Sequence, residues 1–540
     1  MKSYSDYMNE ISPDELFDGL LGHGLFAEKL PPVFTSENFC EYYKSNISAS
    51  ACQKNSKFIY FESMRHTNIP RAFGIPEPFA YAKLCTVLKD NWDRIRNVLQ
   101  ANTANDDYKV SRIHIRKMSE SASLMTLSYD QDLEPEDEDA IVYDTLPETP
   151  ESMDYSDSIN NDAIFAMNYK NWKLDGDPMI NFSLGMRYVV KTDISQCFPS
   201  AYSHSIPWAL EGKTQCKSNV RNKIAFWSDE LDKACRGIKD NETNGLIIGP
   251  HASNVLSEII LTAIDKKVRS DGFKYIRNID DYTCYVESYE KAEEFLVKLS
   301  AELREYCFTL NYKKTTIEEL PQASAEEWVQ ILKDKYAIER DNEICYDMAR
   351  AYLDTAILAM KNNGNSAASL FFAIKVLGNA DKPITEQAQN YCIRRMCDLA
   401  IIYPYLLPNM EQYVFEAFNA SSEIIENFTR VLYEDSIKRK NYEGVSYSLY
   451  YAVKYDFKLP VNEDEIIGSS DCISKILLWI YSCKYNEHGI KNKLHDKACN
   501  LAVDYFDEYW VFIYEVLSDT ELPVEWQALK RAGVSFLCYE

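Results

Sequence analysis

Phe273-Lys274-Tyr275-Ile276-Arg277-Asn278-Ile279-Asp280-Asp281-Tyr282-Thr283-Cys284-Tyr285-Val286 decides how this 540-residue chain is read. Two runs rich in β-branched and aromatic residues, Phe273–Arg277 and Tyr282–Val286, flank a tight Asn278-Ile279-Asp280-Asp281 corner, which predicts a hairpin. The chain holds 83 acidic residues, so adjacent carboxylates are common, and an isolated pair is ordinarily solvated surface. This pair stands instead at a corner of apolar, aromatic strands. Two carboxylates held there repel each other and persist as anions chiefly when a cation neutralises them.

A second stretch leads to the same place. Tyr188-Val189-Val190-Lys191-Thr192-Asp193-Ile194 reads as a buried strand ending in a carboxylate. A strand that ends in one carboxylate and a hairpin that presents two can bring three together at one sheet edge. Such an oxygen-rich set suits Mg²⁺ or Mn²⁺. Two such ions about 4 Å apart can activate a 3′-hydroxyl and stabilise a leaving pyrophosphate. Between the two stretches, Pro199 stands where a helix can begin, and Ala252–Val268 has helical apolar spacing.

Four regions are expected. Residues 1–118 read as mixed helix and loop, with a turn-rich Pro70–Pro78 stretch, a helix from Phe79 to about Leu99 and a strand-like Ser111–Arg116. Residues 119–169 are an acidic insertion: fourteen Asp or Glu stand between Ser119 and Tyr169, with no Lys or Arg. Residues 170–320 alternate strand and helix signals. Residues 321–540 read as helix after helix, through Ala325–Ile338, Ile344–Lys361, Ala367–Leu377, Glu386–Ile401, Ser421–Lys440, Gly444–Tyr455, Cys472–Tyr485 and Lys491–Leu517.

The net charge of −25 argues against tight, non-specific coating of DNA. Residues 1–320 carry −14 and residues 321–540 carry −11, and the acidic insertion accounts for the whole excess of the first half. A locally basic groove remains compatible with an acidic surface. Fifteen cysteines without a Cys-x-x-Cys pair suggest reduced core fillers in a cytoplasmic protein, not a disulfide framework or structural zinc. No apolar run is long enough to span a membrane, and the N-terminus has no secretory signal pattern.

Four motifs now line up. Lys191-Thr192-Asp193-Ile194-Ser195-Gln196-Cys197-Phe198-Pro199-Ser200-Ala201-Tyr202 resembles reverse-transcriptase motif A, and Asn244-Gly245-Leu246-Ile247-Ile248-Gly249-Pro250-His251-Ala252-Ser253-Asn254 resembles motif B. Asn278-Ile279-Asp280-Asp281 is similar to the motif C tetrad, and Leu310-Asn311-Tyr312-Lys313-Lys314-Thr315 to motif D. Arg71 with Phe73–Pro78 resembles an upstream finger motif. After motif A, Ser203-His204-Ser205-Ile206-Pro207-Trp208-Ala209-Leu210 followed by Gly212-Lys213 resembles the Abi (abortive infection) and defence-associated bacterial reverse transcriptases.

The resemblance implies an α+β fold: a reverse-transcriptase fingers–palm domain followed by an all-α helical-repeat (HEAT-like) C-terminal domain. It implies an antiphage-defence DNA polymerase that adds dNTPs by two-metal catalysis and releases or carries a DNA product. Asp193 and Asp280 would bind metal, and Asp281 would support the metal or the primer end. Phe198 would be a steric gate against the ribose 2′-OH. Asn244 and Gly245 would contact substrate. Lys314, with Lys313 as second choice, would contact or protonate pyrophosphate, and Arg112, Arg116 or Lys117 would clamp the triphosphate. A plain structural role stands beside each: core phenylalanine, surface lysine, exposed strand charge. The run Lys213, Lys217, Arg221 and Lys223 fits a nucleic-acid backbone or a solvated helix face equally.

Relatives also synthesise DNA without a template from a protein tyrosine, or copy a non-coding RNA partner, and they often form homo-oligomeric rings. The 38 tyrosines offer no basis for choosing a primer. Two positions depart from the pattern: Asn278 stands where motif C usually has an aromatic residue, and Asn244 where many relatives have Gln. Asn278 keeps a second reading open, in which the palm is a relic and the helical half binds partners. A group II intron or retron enzyme fits less well, because no basic maturase-like tail is present.

Overall fold

The structure, a computed structural model, describes residues 8–27, 29–46, 55–103, 178–222, 226–323, 326–338, 343–380 and 382–538. The expected strand bearing Arg112 and Arg116, Lys117, the acidic insertion and Lys223 lie outside these residues.

The amino-terminal region begins with α1 (Pro13–Leu21), started by a Ser12–Glu15 capping box, and α2 (Glu37–Ser45). Next come β1 (Phe58–Met64) and β2 (Pro70–Pro76), an antiparallel pair in which Phe61 stands opposite Phe73. This corrects the expectation of a turn at Pro70–Pro78. Pro70 and Pro76 fall at the two ends of the strand, where proline is tolerated, and the buried Ile59–Ile75 and Phe61–Phe73 pairs supply the packing. The helix expected from Phe79 to Leu99 is two, α3 (Pro78–Asp90) and α4 (Trp92–Asn102), broken at Asn91.

A four-stranded antiparallel sheet follows, in the order β4-β5-β3-β6: β3 (Tyr188–Asp193), β4 (Tyr275–Asn278), β5 (Asp281–Val286) and β6 (Thr316–Glu319). Around it stand α5 (Pro178–Ser183), α6 (Cys197–Ser200), α7 (Ser205–Glu211), α8 (Lys213–Asn222), α9 (Trp227–Gly237), α10 (His251–Ser270) and α11 (Tyr289–Glu305). Alternation along the strands sorts the two faces. Val190, Tyr282, Cys284 and Tyr275 point into the main core, and α11 packs on β3 and β5. Val189 and Tyr285 point the other way, where Phe182 of α5 covers them.

The described residues of the second half are mainly helical: α12 (Glu327–Ile338), α13 (Tyr346–Asn362), α14 (Ala368–Gly378), α15 (Glu386–Ile402), α16 (Ser422–Arg439), α17 (Tyr442–Lys454), α18 (Glu463–Gly468), α19 (Cys472–Lys484), α20 (His488–Asp504), α21 (Trp510–Val516) and α22 (Val524–Arg531). The single helix expected over Lys491–Leu517 is broken, because α20 ends at Asp504 and a short 3₁₀ turn precedes α21. Neighbours in sequence pack as neighbours in space. The α16–α17 corner shows why: Lys440 adopts a left-handed conformation (φ 57°), and the Asn441 side chain then caps the next helix at Gly444. The tyrosines of this half are largely core. The hydroxyls of Tyr451, Tyr481, Tyr485 and Tyr514 each donate to a main-chain carbonyl.

The helical half returns to the amino-terminal region. Phe34 bridges Leu537, and Lys57 reaches Asp507 through its main-chain N–H and Glu508 through Nζ. Glu443 of α17 accepts from Ser63 Oγ at 2.5 Å and Met64 N at 2.8 Å. Ala367 N donates to His66 O, and Asn68 Nδ2 to Ile402 O. One continuous apolar core runs through both halves. No described helix is long and apolar enough to cross a membrane, and the described cysteines are unbridged.

Candidate active site

The sheet brings the expected acidic residues to one edge. In the β3–β5 register Asp193 stands opposite Asp281, and antiparallel partners put their side chains on the same face. That face is the one carrying Val189 and Tyr285, away from the main core. Asp280 occupies the corner between β4 and β5, and its carbonyl accepts from Ile194 N at 3.2 Å. Asp193 is buried, while Asp280 and Asp281 are half-buried.

Motif D closes the site from the β6 side. Asn311 donates to Asp193 twice, from N to the carbonyl at 2.9 Å and from Nδ2 to Oδ2 at 3.3 Å. Lys314 Nζ lies 3.4 Å from the same Oδ2. Lys313 is exposed, and its main-chain N–H bonds Asn311 Oδ1. Of the two lysines considered, Lys314 is the one that reaches Asp193.

The Asn244–Pro250 loop ties the sheet region to the β1–β2 hairpin. Gly245 N donates to Ala201 O and Leu246 N to Phe198 O, each at 2.7 Å, and Gly74 N of β2 donates to Ile248 O at 2.9 Å. Gly245 (φ 80°) and Gly249 (φ 123°) hold conformations that side chains disfavour, and a Cβ on Gly245 would lie 3.1 Å from Pro199 O. Lys239 is buried, and its Nζ bonds the carbonyls of Asn244 and Gly245. Burial lowers its pKa. Asn244 is exposed, whereas Phe198 is buried in the core beneath the loop. The α8 lysines are engaged: Lys213 bonds Glu305 and, with Lys217, lies over the Trp208 ring.

Sequence reading missed what lies beneath the corner. Ile279 is a β-branched residue in the left-handed region (φ 52°), a conformation costing about 1–3 kcal/mol. Its carbonyl accepts from Arg277 Nη1 at 2.7 Å. Arg277 is fully buried, as are its ion-pair partners Glu258 and Asp265 on α10. Tyr275 OH also donates to Asp265 Oδ1 at 2.8 Å. Burial pushes the Asp265 carboxyl up, against the pull of Arg277. A signal did exist: Arg277 occupies an inward strand position beside Tyr275, and Glu258 and Asp265 recur seven residues apart on a largely apolar helix.

The site residues fit a divalent cation. Asp193 Oδ1 is buried and carries no hydrogen bond, a costly state for an anionic oxygen unless a cation meets it. The donors are all oxygens, as Mg²⁺ and Mn²⁺ prefer. The one group of three acidic, histidine or cysteine ligands within 4.8 Å of one another among the described residues is elsewhere, at His495, Cys499 and Glu521. There Cys499 Sγ lies 3.8 Å from His495 Nδ1 and Glu521 Oε1 lies 2.9 Å from His495 Nε2.

Residues 170–337 match the family described as reverse transcriptase (RNA-dependent DNA polymerase). The chain carries a reverse transcriptase domain. It is therefore a nucleotidyltransferase of the DNA-polymerase class, and reverse transcriptase domains bind nucleotides and nucleic acid and generally use divalent metal ions. No curated protein matches the chain. Among solved structures it is similar to apo telomerase from Candida tropicalis (9% identity, TM-score 0.30, covering 86% of this chain and 76% of that one). It is also similar to Candida albicans telomerase with a telomeric RNA fragment (11%, 0.26, 74% and 67%). A third is Candida tropicalis telomerase truncated from its C-terminal domain (12%, 0.26, 50% and 51%). At these scores the likeness indicates neither substrate nor partner for the reverse transcriptase domain described here.

Proposed function

We propose that this chain is a DNA polymerase of bacterial antiphage defence, with its chemistry at the Asp193–Asp280–Asp281 edge. The observation that carries this reading is the Asp193–Asp281 register pair, joined to a buried Asp193 oxygen without a hydrogen bond. Asp193, Asp280 and Asp281 would hold Mg²⁺ or Mn²⁺, which when bound supplies Lewis-acid stabilisation of phosphoryl oxygens. Lys314 is within reach of the same carboxylate and would give its proton to the departing pyrophosphate. Phe198, under the Asn244–Gly245 loop, would crowd a ribose 2′-OH. Arg112 and Arg116 remain the proposed triphosphate clamp.

The defence role rests on the resemblance of the Ser203–Leu210 run, and the helical half fits the helical-repeat domain that accompanies it. Primer and template are read together by one measurement: mass spectrometry of the full-length protein purified from its host. Covalent DNA on a tyrosine is the expected result of protein-primed, template-independent synthesis. Co-purified non-coding RNA instead assigns a templated reaction. Absence of both, with no dNTP incorporation by the purified protein in Mg²⁺ or Mn²⁺, overturns the polymerase reading. Mass photometry of the same preparation tests the expected homo-oligomer, and a monomer throughout rejects it.

A further inference from the structure

Each main-chain carbonyl flanking the Asp280 α-carbon is pinned by a different part of the domain. The Asp280 carbonyl accepts from Ile194 N, one residue beyond Asp193. The Ile279 carbonyl, which belongs to the peptide leading into Asp280, accepts from Arg277 Nη1. Arg277 lies on the opposite side of the sheet from Asp281, because it shares the inward face with Tyr275. It therefore touches neither nucleotide nor metal, and acts from below.

What fixes Arg277 is α10, the helix that continues from the Asn244–Pro250 loop. Its Nε donates to Asp265 Oδ2 at 2.8 Å, and its Nη1 and Nη2 lie 3.2 and 3.3 Å from the two Glu258 oxygens. All five of its N–H donors can thus be directed by the two carboxylates and the Ile279 carbonyl, a fork that lysine cannot reproduce. A simple structural ion pair needs no bond to the corner, and it would leave Ile279 free to relax out of the left-handed region. The third bond, to a strained residue next to an acidic site, is what a merely structural pair does not explain.

We propose that Arg277, clamped by Glu258 and Asp265, is a positioning residue that holds the Ile279–Asp280 peptide so that the Asp280 carboxylate is aimed at the metal. The proposal rests on the reading of Asp193, Asp280 and Asp281 as a metal site. Groups that orient metal ligands from behind typically change metal affinity by about 10–100-fold when lost.

The test compares wild type with Arg277→Lys, which keeps the buried charge and so protects folding. Binding of Mn²⁺ is followed by electron paramagnetic resonance, with thermal melting alongside and the Mg²⁺ dependence of dNTP incorporation as a second readout. The expected result is Mn²⁺ binding weakened about tenfold or more in protein that still melts cooperatively, with incorporation regained at high Mn²⁺. In the Arg277→Lys background, Ile279→Gly is expected to restore part of the affinity, because glycine adopts the left-handed conformation unaided. Unchanged Mn²⁺ affinity in folded Arg277→Lys protein overturns the proposal. So does a loss that Ile279→Gly leaves untouched while Tm falls in step with it. Failure of the underlying site reading looks different: Mn²⁺ binding by wild type would then be insensitive to Asp280→Asn.

Discussion

Among the described residues stand two β-hairpins, and they are held in opposite ways. The β4–β5 corner is gripped from within its own domain, by a buried arginine whose charge is more than matched by two carboxylates of α10. The β1–β2 turn is gripped from the other half of the chain. Glu443, nearly four hundred residues away, takes hydrogen bonds from Ser63 and Met64, while Ala367 and Ile402 bond His66 and Asn68. On the proposed function, the β4–β5 corner holds carboxylates to a fixed geometry and gains from a local, ionic clamp. A hairpin fixed by distant helices instead ties the amino-terminal region to the helical half, and β2 in turn bonds the Ile248 carbonyl through Gly74 N.

The sharpest way to break this contrast is to remove the acid pair. Asp280→Ala with Asp281→Ala should reduce dNTP incorporation below about one-thousandth of wild type while leaving the melting curve cooperative, since both residues are half-buried at a corner. Retained activity would move the chemistry away from the second hairpin altogether. A smaller effect belongs to Lys314→Ala, expected to slow incorporation about 10²-fold in single-turnover assays. Lys313→Ala should change little, because that side chain is exposed; equal losses in the two variants would remove the proton-donor role. Smaller again is Phe198→Val, expected to relax the preference for dNTP over rNTP by about tenfold. An unchanged preference with lowered stability would leave Phe198 as core alone.

The palm was legible because it follows rules that act over short stretches. Alternation, a two-residue corner and a strand ending in Asp193 each signal themselves locally, and the motif order supplies the rest. The α10 helix was readable from its apolar spacing, whereas its Glu258 and Asp265 acquire meaning only when Arg277 is folded against them. The β1–β2 hairpin was missed because Pro70, Gly74, Pro76 and Pro78 are turn signals in sequence and become strand only by pairing with Phe58–Met64. Glu443 could not be singled out by any local rule, since one glutamate in a helix looks like surface until a distant strand buries it. Propensity reports the backbone; burial of a charge is a tertiary fact.

Glu443 offers the subtlest test of the contrast. Burial raises its pKa from 4.5 to about 7, outweighing the Ser63 and Met64 hydrogen bonds that favour the anion. The folded protein therefore holds this proton more tightly than the unfolded chain. Between about pH 4.5 and 7 the native state binds more protons than the unfolded state, so stability falls as pH rises through that window and levels off above it. The full effect is at most about 3 kcal/mol. Glu443→Gln keeps the acceptor oxygen and removes the titration. Its stability should resemble wild type at pH 4.5 and exceed it at pH 8, with a flatter profile between. Where exchange at the Met64 amide proceeds by unfolding, it follows the same stability loss: protection in wild type should decline from pH 5 to pH 8, after correction for intrinsic exchange, and hold steady in the variant. Parallel profiles in the two proteins would mean that the β1–β2 hairpin is held by the helices without help from this carboxyl.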